Sequence, residues 1–305
     1  GIQHHKILDI DSKNPVTVLK LLFSIHQIIK QKGITIVHTH HRMAAFYIRL
    51  LKFVYPKLTH VYTAHNVFKD KLPLYRFALK NAKSVAVGEA VNNNLKEDVG
   101  ITDSKVIYNG VILKETDNQV DDIVGYDGTK LGCIARLSEQ KGLTYLIEAM
   151  SLLTIKNIRL FIVGDGELRN ELENKVEELH LQDSVTFLGY RKDIVECINS
   201  FDFLVSSSLF EGLALNVIET FMNGKTMVAT DIPGINEIVN NENGILVPAQ
   251  NPGALASAID KLATDVPLRN RLAFHAKKTY EERFSYSMFL ENYRALYREI
   301  QGEPK

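Results

Sequence analysis

The sequence contains few cysteines and no cysteine motif. The two cysteines, Cys133 and Cys197, lie 64 positions apart, each within an apolar segment. They form neither a CxxC pair nor a cysteine and histidine spacing typical of zinc sites. The pattern argues against a disulfide-rich secreted scaffold and predicts two buried thiols in a reducing compartment.

Long apolar runs are also absent. No stretch approaches the ~18 apolar residues that span a bilayer, and the first residues do not resemble a signal peptide. We therefore expect a cytoplasmic protein. The chain starts at Gly1 rather than Met and soon reaches a strand-like segment, so we also expect a fragment of a longer protein.

The net charge of the 305-residue chain is zero, but the charges are unevenly distributed. Residues 1–117 hold 17 basic and 9 acidic side chains, whereas the remainder holds 19 and 27. A basic first half is compatible with an ordinary solvated surface, and equally with an anionic acceptor or membrane surface as partner. Because no dense arginine tract or nucleic-acid-binding motif is present, we expect no nucleic acid partner.

Short β-branched segments alternate with helical patterns along the whole chain, which is typical of parallel sheets covered by helices. In the first half, strands are predicted at 35–40, 60–65, 84–89 and 105–110, and helices at 15–32, 42–54, 72–81 and 89–98. A second series of strands is predicted at KLGCIAR, IRLFIVGDG, VTFLGY, FDFLVSS, KTMVAT and GILVPA, followed by helical patterns from about 252 to 300.

The predicted fold class is therefore α/β, with two doubly wound Rossmann-like domains facing a cleft. The acidic, glycine-containing segment 112–129 is predicted to be the linker. The other predicted limits are 1–111 for a first domain that is incomplete at its start, 130–285 for a second domain, and 286–305 for a C-terminal helix that could cross back to the first. In such folds, ligands bind at the carboxyl ends of the strands.

The segment SSSLFEGLALNVIETFMNGK (206–225) places Glu211 and Glu219 eight positions apart in an otherwise largely apolar run. Helical residues eight apart lie on nearly the same face, roughly 12 Å apart along the axis. If Glu211 precedes a helix and Glu219 lies in its third turn, both could reach one ligand about as long as a sugar nucleotide. The alternative for Glu219 is a pairing with a buried cation or a loop cap.

A second polar cluster follows the strand GCIAR, where RLSEQKG places Arg136 and Lys141 five positions apart and Gly142 opens a helical pattern. Two cations at a strand exit beside a helix start make an anion site, because the free backbone amides and the helix dipole add to the side-chain charge. A diphosphate would fit. The alternative is an exposed arginine and lysine that flank a turn.

An ordered set of segments carries a family resemblance over nearly the whole chain, strongest from 130 to 250. The segments are VHTH, YTAHN, VGEAVNNNL, VIYNGV, ARLSEQKG, LFIVGDGELRNELE, VTFLGYRKDI, SSLFEGLALNVIETFMNG, ATDIPGINEIV and GILVPAQNP. Each alone is weakly specific, but their order resembles the family 4 retaining glycosyltransferases of GT-B fold, whose hallmark is a Glu, seven residues, Glu motif.

The resemblance implies roles for residues at matching positions. Arg136 and Lys141 would hold the donor diphosphate, and Glu219 would bind the ribose hydroxyls. Glu211 would bind hydroxyls of the transferred sugar, and His65, at the exit of HVYTAH, would face that sugar and the acceptor. The main chain would supply the remaining contacts, at Gly212, Leu213 and Ala214 with the distal phosphate, near Tyr190 and Arg191 with the base, and at Gly234 beside the sugar.

This sequence departs from the family pattern at three places. About fifty residues, with a strand and a glycine-rich turn, are expected before GIQHHKILDI. Many members have glycine where Ala214 and Ile235 stand, so the sugar pocket could differ in shape.

Three other patterns suggest metal or dinucleotide sites, and we assign them otherwise. Asp9-Ile10-Asp11 spells the DxD motif of metal-dependent transferases but sits at an early edge of the chain. Gly164-Asp165-Gly166 lacks the third glycine of a dinucleotide loop, since Arg169 stands there, so a turn leading into a helix is predicted. The histidines of HTHH (38–41) are predicted to line the cleft, because successive strand residues point to opposite faces and no carboxylate is spaced nearby.

Together the residues and the resemblance predict a retaining, metal-independent, hexosyltransferase-like enzyme without a cofactor. The expected donor is a UDP-sugar, and the expected acceptor is a glycan, a lipid-linked or another hydroxyl compound in polysaccharide or glycoconjugate biosynthesis. The segment FYIRLLKFVYPK (46–57) interleaves cations with aromatics, so it could contact an anionic membrane at its inner face, or simply be a helix packed on the sheet.

Other functions remain compatible with the same site. The protein could bind a nucleotide sugar without transferring it, or be a truncated inactive form. It could also be a sugar phosphorylase, a nucleotide-sugar hydrolase or an epimerase, and a nicotinamide oxidoreductase is a further alternative.

Overall fold

The computed structural model describes residues 3–7, 9–11, 14–112 and 116–302. Residues 113–115 of the predicted linker lie outside the described residues, as do parts of the predicted first domain and the last three residues of the predicted C-terminal helix. The chain forms two compact units. The first unit comprises Gly1–Ile107 with Arg294–Lys305, and the second unit comprises Tyr108–Tyr293. The predicted domain limits remain predictions.

The first unit contains a parallel sheet in the order β1-β2-β3-β4. Its strands are β1 (Ile36–Thr39), β2 (Thr59–Ala64), β3 (Lys83–Ala86) and β4 (Ser104–Val106), and its helices are α1 (Pro15–Lys32), α2 (Arg42–Leu51), α3 (Leu72–Leu79) and α4 (Glu89–Asn94), which continues as a π-helical turn, Leu95–Val99. Local signals set the ends of α1. Asn14 caps its start by accepting from the Val16 amide at 2.9 Å, and Gly33 ends it with φ 60°.

The second unit contains a parallel sheet of six strands in the order β10-β9-β8-β5-β6-β7. The strands are β5 (Thr129–Ile134), β6 (Ile158–Val163), β7 (Val185–Gly189), β8 (Phe203–Ser206), β9 (Met227–Thr230) and β10 (Ile245–Val247). The helices are α5 (Asp121–Val124), α6 (Leu143–Ser151), α7 (Arg169–Glu178), α8 (Ile194–Ser200), α9 (Leu215–Met222), α10 (Pro252–Thr264), α11 (Val266–Thr279) and α12 (Tyr286–Gln301). The predicted alternation of strands and helices is confirmed.

The order of the second sheet creates a topological switch point. From β5 the chain runs outward through β6 to β7, then returns to β8 on the other side of β5 and runs outward through β9 to β10. The connections after β5 and β8 therefore diverge and leave a crevice at the carboxyl ends of these two strands. Ligands of open α/β sheets bind at such a place.

The core of the second unit is packed around β5, β6 and β8. Gly132 in β5 leaves room for the Phe201 ring, because an added Cβ would lie 2.1 Å from it. Burial raises the pKa of Cys133 to about 12 and that of Cys197 to about 11. Both thiols are buried, as predicted from the sequence.

Helix α12 carries a row of aromatic side chains. Phe289 packs against Tyr286 and Tyr293, with ring centroids 6.0 and 4.9 Å apart. Gly110 allows the preceding strand exit to approach this row, since an added Cβ would lie 2.6 Å from Phe289 Cβ. From Arg294 onward the helix belongs to the first unit. Among the described residues, no helix has both the length and the apolar content needed to cross a bilayer.

Candidate functional site

A pocket of about 840 Å³ opens at the switch point of the second unit. Six residues that the sequence had marked for donor binding or catalysis line it together: Arg136, Lys141, Tyr190, Arg191, Glu211 and Leu213. They come from the segments that follow β5, β7 and β8, so the strand order explains why residues up to 77 positions apart meet here. Asp165, Lys192 and Asn216, which sequence reasoning missed, also line the pocket.

A shielded ion pair forms one wall of the pocket. Lys141 Nζ lies 2.5 Å from Glu211 Oε1, and the side chains are only 19% and 8% exposed. Ser208 Oγ donates to the same carboxylate oxygen at 2.8 Å. The free protein therefore holds the Lys141 charge and the Glu211 carboxylate against each other at the place predicted for the donor.

Two segments are tied together to make this pair. Gly142 has φ 57°, and an added Cβ would lie 2.3 Å from the carbonyl oxygen of Ser207. Ser207 Oγ donates to the carbonyl of Lys141 at 2.8 Å, and the amide of Leu209 donates to the carbonyl of Gln140 at 2.8 Å. These bonds fix the turn after β5 against the loop after β8. A serine three residues before a predicted site glutamate was the available sequence signal for Ser208.

The start of α9 supplies unpaired backbone donors beside the pair. Within the described part of the chain, the amides of Leu213, Leu215 and Asn216 have no hydrogen-bond acceptor. The main chain of Ala214 was expected to contact the distal phosphate, but its amide is not free, because it donates to the carbonyl of Gly234 at 3.3 Å. Free amides at a helix start are typical of anion sites, and all three residues with free amides line the same pocket as Lys141.

Gly234 shapes the same loop through its backbone. Its φ of +86° lies in the left-handed region, and an added Cβ would lie 2.7 Å from the carbonyl oxygen of Glu211 and 3.0 Å from that of Gly212. Gly234 therefore packs directly under the segment that carries the site glutamate. Asn216 adds a second tie, since its Nδ2 donates to the carbonyl of Ile134 at the end of β5 at 3.0 Å.

The side chain of Arg136 is far more exposed to solvent than that of Lys141. It is 72% exposed and lies 3.1 Å from Glu167, which is 55% exposed. Ion pairs this exposed contribute roughly 0 to 1 kcal/mol, because water and salt screen them. Arg136 can therefore turn toward a ligand at little cost.

Glu219 lies in the second turn of α9 rather than the third, because the helix begins at Leu215. It is one helical turn beyond Leu215, which lines the pocket, but Glu219 itself is not among the lining residues. Its side chain is half-buried, and no ion pair or side-chain hydrogen bond to it exists among the described residues. Burial raises the pKa of its carboxyl group. The alternative that a buried cation neutralises Glu219 therefore has no support.

The far side of the pocket is formed by the segment after β7. Tyr190 is 73% exposed, and the Nε of Arg191 donates to Asp193 Oδ1 at 3.0 Å. Gly164 and Gly166 lie in the turn between β6 and α7, as predicted. An added Cβ at Gly164 would lie 1.9 Å from the carbonyl oxygen of Ala135, and the turn leads into α7.

The remaining predicted site residue, His65, lies in the first unit at the end of β2. It is half-buried, and its Nε2 lies 3.0 Å from Nδ1 of His40. His41 is separated from these rings and caps α2 by accepting from the Met43 amide at 3.3 Å. Asp11 folds back locally, its amide donating to Asp9. Its Oδ1 also lies 3.8 Å from Nε2 of His41, so the expectation that no carboxylate lies near these histidines is wrong. Throughout the described ranges, no three histidine, cysteine, aspartate or glutamate side chains are grouped to hold a metal ion.

Two helix-covered parallel sheets are the architecture of the GT-B glycosyltransferases. The crystal structure of Anabaena Alr3699/HepE in complex with UDP is similar, with a TM-score of 0.82 and 22% identity, and covers 90% of this chain and 81% of that chain.

The chain belongs to the glycosyl transferases group 1 family, which matches residues 124–279, and residues 1–115 match glycosyltransferase family 4. The uncharacterized glycosyltransferase MJ1607 of Methanocaldococcus jannaschii is 31% identical over 216 residues, 64% of this chain and 55% of the relative. The alpha-D-kanosaminyltransferase of Streptomyces kanamyceticus is 30% identical over 172 residues, 55% of this chain and 45% of the relative. The chain thus spans about half the length of these relatives, and the predicted family and fold class are confirmed.

Proposed function

We propose that the protein is a retaining glycosyltransferase that moves a sugar from a UDP-sugar to a hydroxyl acceptor. One observation carries the proposal: Arg136, Lys141 and the free amides of α9 converge on a single pocket that also holds Glu211. A volume of about 840 Å³ lies in the range of pockets for small ligands and cofactors. The UDP complex of the structural neighbour supports testing uridine first.

Each part of the donor has a proposed partner. Arg136 and Lys141 bind the diphosphate, and the amides at Leu213 and Leu215 bind the distal phosphate. Glu219 accepts two hydrogen bonds from the ribose hydroxyls, an arrangement that a carboxylate without another partner favours. The main chain near Tyr190 and Arg191 contacts the base, the Gly212 backbone lies beside the distal phosphate, and the Gly234 backbone borders the transferred sugar.

Donor binding has to rearrange the Lys141 and Glu211 pair. A diphosphate competes with Glu211 for the ammonium group, because both are anionic and Lys141 has three donor hydrogens to share. Glu211 keeps its bond from Ser208 and gains hydroxyl donors from the sugar. The pair thus holds both side chains in the pocket before the donor arrives.

The proposed reaction is driven by charge stabilisation. Breaking the bond between the anomeric carbon and the diphosphate leaves extra negative charge on the distal phosphate while the sugar becomes oxocarbenium-like. Arg136, Lys141 and the α9 amides stabilise that charge where it develops. They supply the positive charge that a divalent metal supplies in other transferases, so we propose a metal-independent reaction.

Retention is proposed to follow from front-face attack. The acceptor oxygen bonds to the anomeric carbon on the face that the diphosphate leaves, and the acceptor proton passes to the departing phosphate oxygen. No protein nucleophile is then required. Glu211 positions the sugar, and His65 orients the sugar or the acceptor.

We also propose that the acceptor is a glycan or lipid-linked compound of polysaccharide or glycoconjugate biosynthesis, met at the inner face of an anionic membrane. The support is the basic first half and the exposed Phe53 and Val54 beside Lys52 and Lys57. Exposed apolar side chains with basic neighbours bind anionic bilayers, because the apolar groups enter the headgroup region and the cations attract the anionic lipids. The protein should sediment with vesicles containing anionic lipid at low salt and stay in solution with neutral vesicles. Equal behaviour with both vesicles would refute this contact.

Calorimetric titration tests the donor site. UDP, GDP, ADP and NAD are titrated into the wild-type protein and into Glu219→Ala and Arg136→Ala. We expect UDP alone to bind, and each substitution to weaken it by about 1 to 3 kcal/mol, as the loss of a charge-assisted hydrogen bond does.

Turnover then separates transfer from its alternatives. UDP-sugar is incubated with and without hydroxyl acceptors, and product is followed by mass spectrometry and by NMR of the anomeric proton. Product that requires an acceptor and keeps the donor's anomeric configuration is expected. Nucleotide binding without product would identify a binding protein, and product without acceptor would identify a hydrolase or epimerase.

A further inference from the structure

Two histidines at neighbouring strand ends form a hydrogen-bonded pair in the first unit. His40 directly follows β1 and His65 directly follows β2, and the two strands pair in parallel, so both residues leave the same edge of the sheet. His40 Nδ1 lies 3.0 Å from His65 Nε2, and the ring centroids are 5.3 Å apart. The contact is therefore a direct hydrogen bond from one imidazole ring to the other.

The ring of His40 is itself supported by a fixed neighbour. It packs against the ring of His38, with centroids 4.3 Å apart and planes inclined by 30°. His38 is anchored at both ring nitrogens, by the Tyr297 hydroxyl at 2.7 Å and by Thr63 Oγ1 at 2.8 Å. Tyr297, His38, His40 and His65 therefore form one continuous series of side-chain contacts, the imidazole series. Of these four residues, only His40 and His65 lie at the open ends of the strands.

All three rings are neutral near pH 7. Burial lowers the pKa of His38 to about 4, and it also lowers the pKa of His40 and of His65 below the usual value of 6.5. A neutral imidazole carries its proton on one ring nitrogen only. The bond between His40 and His65 therefore contains a single proton, and it ties the state of one ring to that of the other.

We propose that His40 is a positioning residue for His65 and that the pair offers one hydrogen-bond donor and one acceptor to sugar hydroxyls. The inference rests on the proposed function, in which His65 orients the transferred sugar or the acceptor. It adds a residue that acts through His65 and states what the two rings present together.

The geometry requires both rings to have the same tautomer. If the shared proton sits on His65 Nε2, His40 Nδ1 is bare and His40 is protonated at Nε2. If the proton sits on His40 Nδ1, His65 Nε2 is bare and His65 is protonated at Nδ1. In either case one outer nitrogen donates and the other accepts, which matches a hydroxyl group, because a hydroxyl both donates and accepts.

Tautomers can be read directly by NMR. Protein labelled with ¹⁵N-histidine is studied at pH 7.5 by long-range proton to nitrogen correlation, with His65→Asn and His40→Asn used to assign the two rings. We expect His40 and His65 to share one tautomer in the wild-type protein. In the His40→Ala variant we expect His65 to populate both tautomers, one protonated at Nδ1 and one at Nε2.

Kinetics measure the consequence for transfer. His40→Ala should lower kcat/KM roughly tenfold, the effect of one lost positioning hydrogen bond. His40→Asn should recover most of it, because the asparagine amide reaches the position of Nδ1 and can donate or accept. His41→Asn is the matched control. It lies next in the chain, keeps a capping oxygen for α2, and should change neither the His65 spectrum nor the rate.

The outcomes separate this inference from the proposed function. Different tautomers in His40 and His65, or an alanine variant with an unchanged His65 spectrum and an unchanged kcat/KM, would overturn the pairing. If His40→Ala does not fold, Tyr297→Phe removes one anchor of His38 and should loosen His65 more mildly, and an unaltered His65 spectrum would count against the series. If the wild-type protein transfers no sugar, the proposed function fails, and the tautomer comparison alone decides the pairing.

Discussion

Two of the ion pairs made by pocket residues, Lys141 with Glu211 and Arg136 with Glu167, should differ sharply in what they contribute to stability. Replacing Lys141 by methionine keeps the bulk of the side chain but leaves Glu211, which is 8% exposed, without its cation. Breaking a buried pair costs about 3 to 5 kcal/mol. Because Lys141 is 19% exposed and Ser208 still donates to Glu211, we expect about 2 to 3 kcal/mol for Lys141→Met.

A double-mutant cycle isolates the pair itself. Glu211→Gln combined with Lys141→Met removes both charges, so the double variant should lose less than the sum of the single losses, with a coupling of about 2 kcal/mol. The matched cycle uses Arg136→Met and Glu167→Gln, whose side chains are 72% and 55% exposed. This second coupling should stay below about 0.5 kcal/mol.

The chain offers a probe that reports on the second unit alone. It contains no tryptophan, but both cysteines are buried in this unit. In a Cys197→Ala background, the rate at which a thiol reagent labels Cys133 follows the opening of β5, and ratios of rates convert to differences in unfolding free energy. Equal couplings in the two cycles would refute the argument that shielding from water sets the strength of the Lys141 and Glu211 pair.

Three further predictions concern single residues. Gly234→Ala should weaken UDP binding roughly tenfold in calorimetry, because the new Cβ, 2.7 Å from the Glu211 carbonyl oxygen, would displace the segment that carries the site glutamate. Gly224→Ala is the matched control: with φ +65° it carries the same left-handed backbone cost of about 1 to 2 kcal/mol in stability, but its new Cβ meets open space, so binding should be unchanged. Glu219→Gln should stabilise the free protein against urea at pH 7 yet weaken UDP binding. Burial raises the pKa of the Glu219 carboxyl group in the folded protein, so stability falls as pH rises from the unfolded toward the folded pKa. Glutamine cannot ionise, so Glu219→Gln should remove this fall. A Glu219→Gln variant that is less stable than the wild-type protein at pH 7 would contradict the prediction. Burial lowers the pKa of His60 to about 4, so stability should be lost as pH falls from 6.5 toward 4, and His60→Gln should flatten the thermal unfolding temperature over that range.

Much of the fold was predictable because its signals are local. Helix α1 begins and ends where the sequence indicated, since Asn14 and Gly33 mark its ends by their own chemistry. The site was predictable in its location for a related reason. Polar residues at strand exits must gather at one edge of a parallel sheet, so Arg136 and Glu211 were expected at the same place before any strand order was known.

The contacts that were missed depend on geometry between distant segments. The amide of Ala214 donates to the carbonyl of Gly234, which lies 20 positions away in the chain, and no local pattern in either segment reveals this contact. The rule that successive strand residues point to opposite faces explains only part of the arrangement of the HTHH histidines. His38 and His40 are two positions apart and share a face, and the partner of His40 follows from the register of β1 on β2, which no periodicity reveals.

The division of α12 between the two units has a consequence for synthesis on the ribosome. The second unit is one uninterrupted stretch, Tyr108–Tyr293, and it has left the ribosome before the first unit obtains its final helical turns. Domains generally fold in the order in which they are made. Here the N-terminal sheet is made first but receives Tyr297, which anchors His38, last. On a ribosome paused after residue 293, every segment that forms the pocket would therefore already be synthesised. His38 would still lack Tyr297, so the contacts that lead through His40 to His65 would be incomplete.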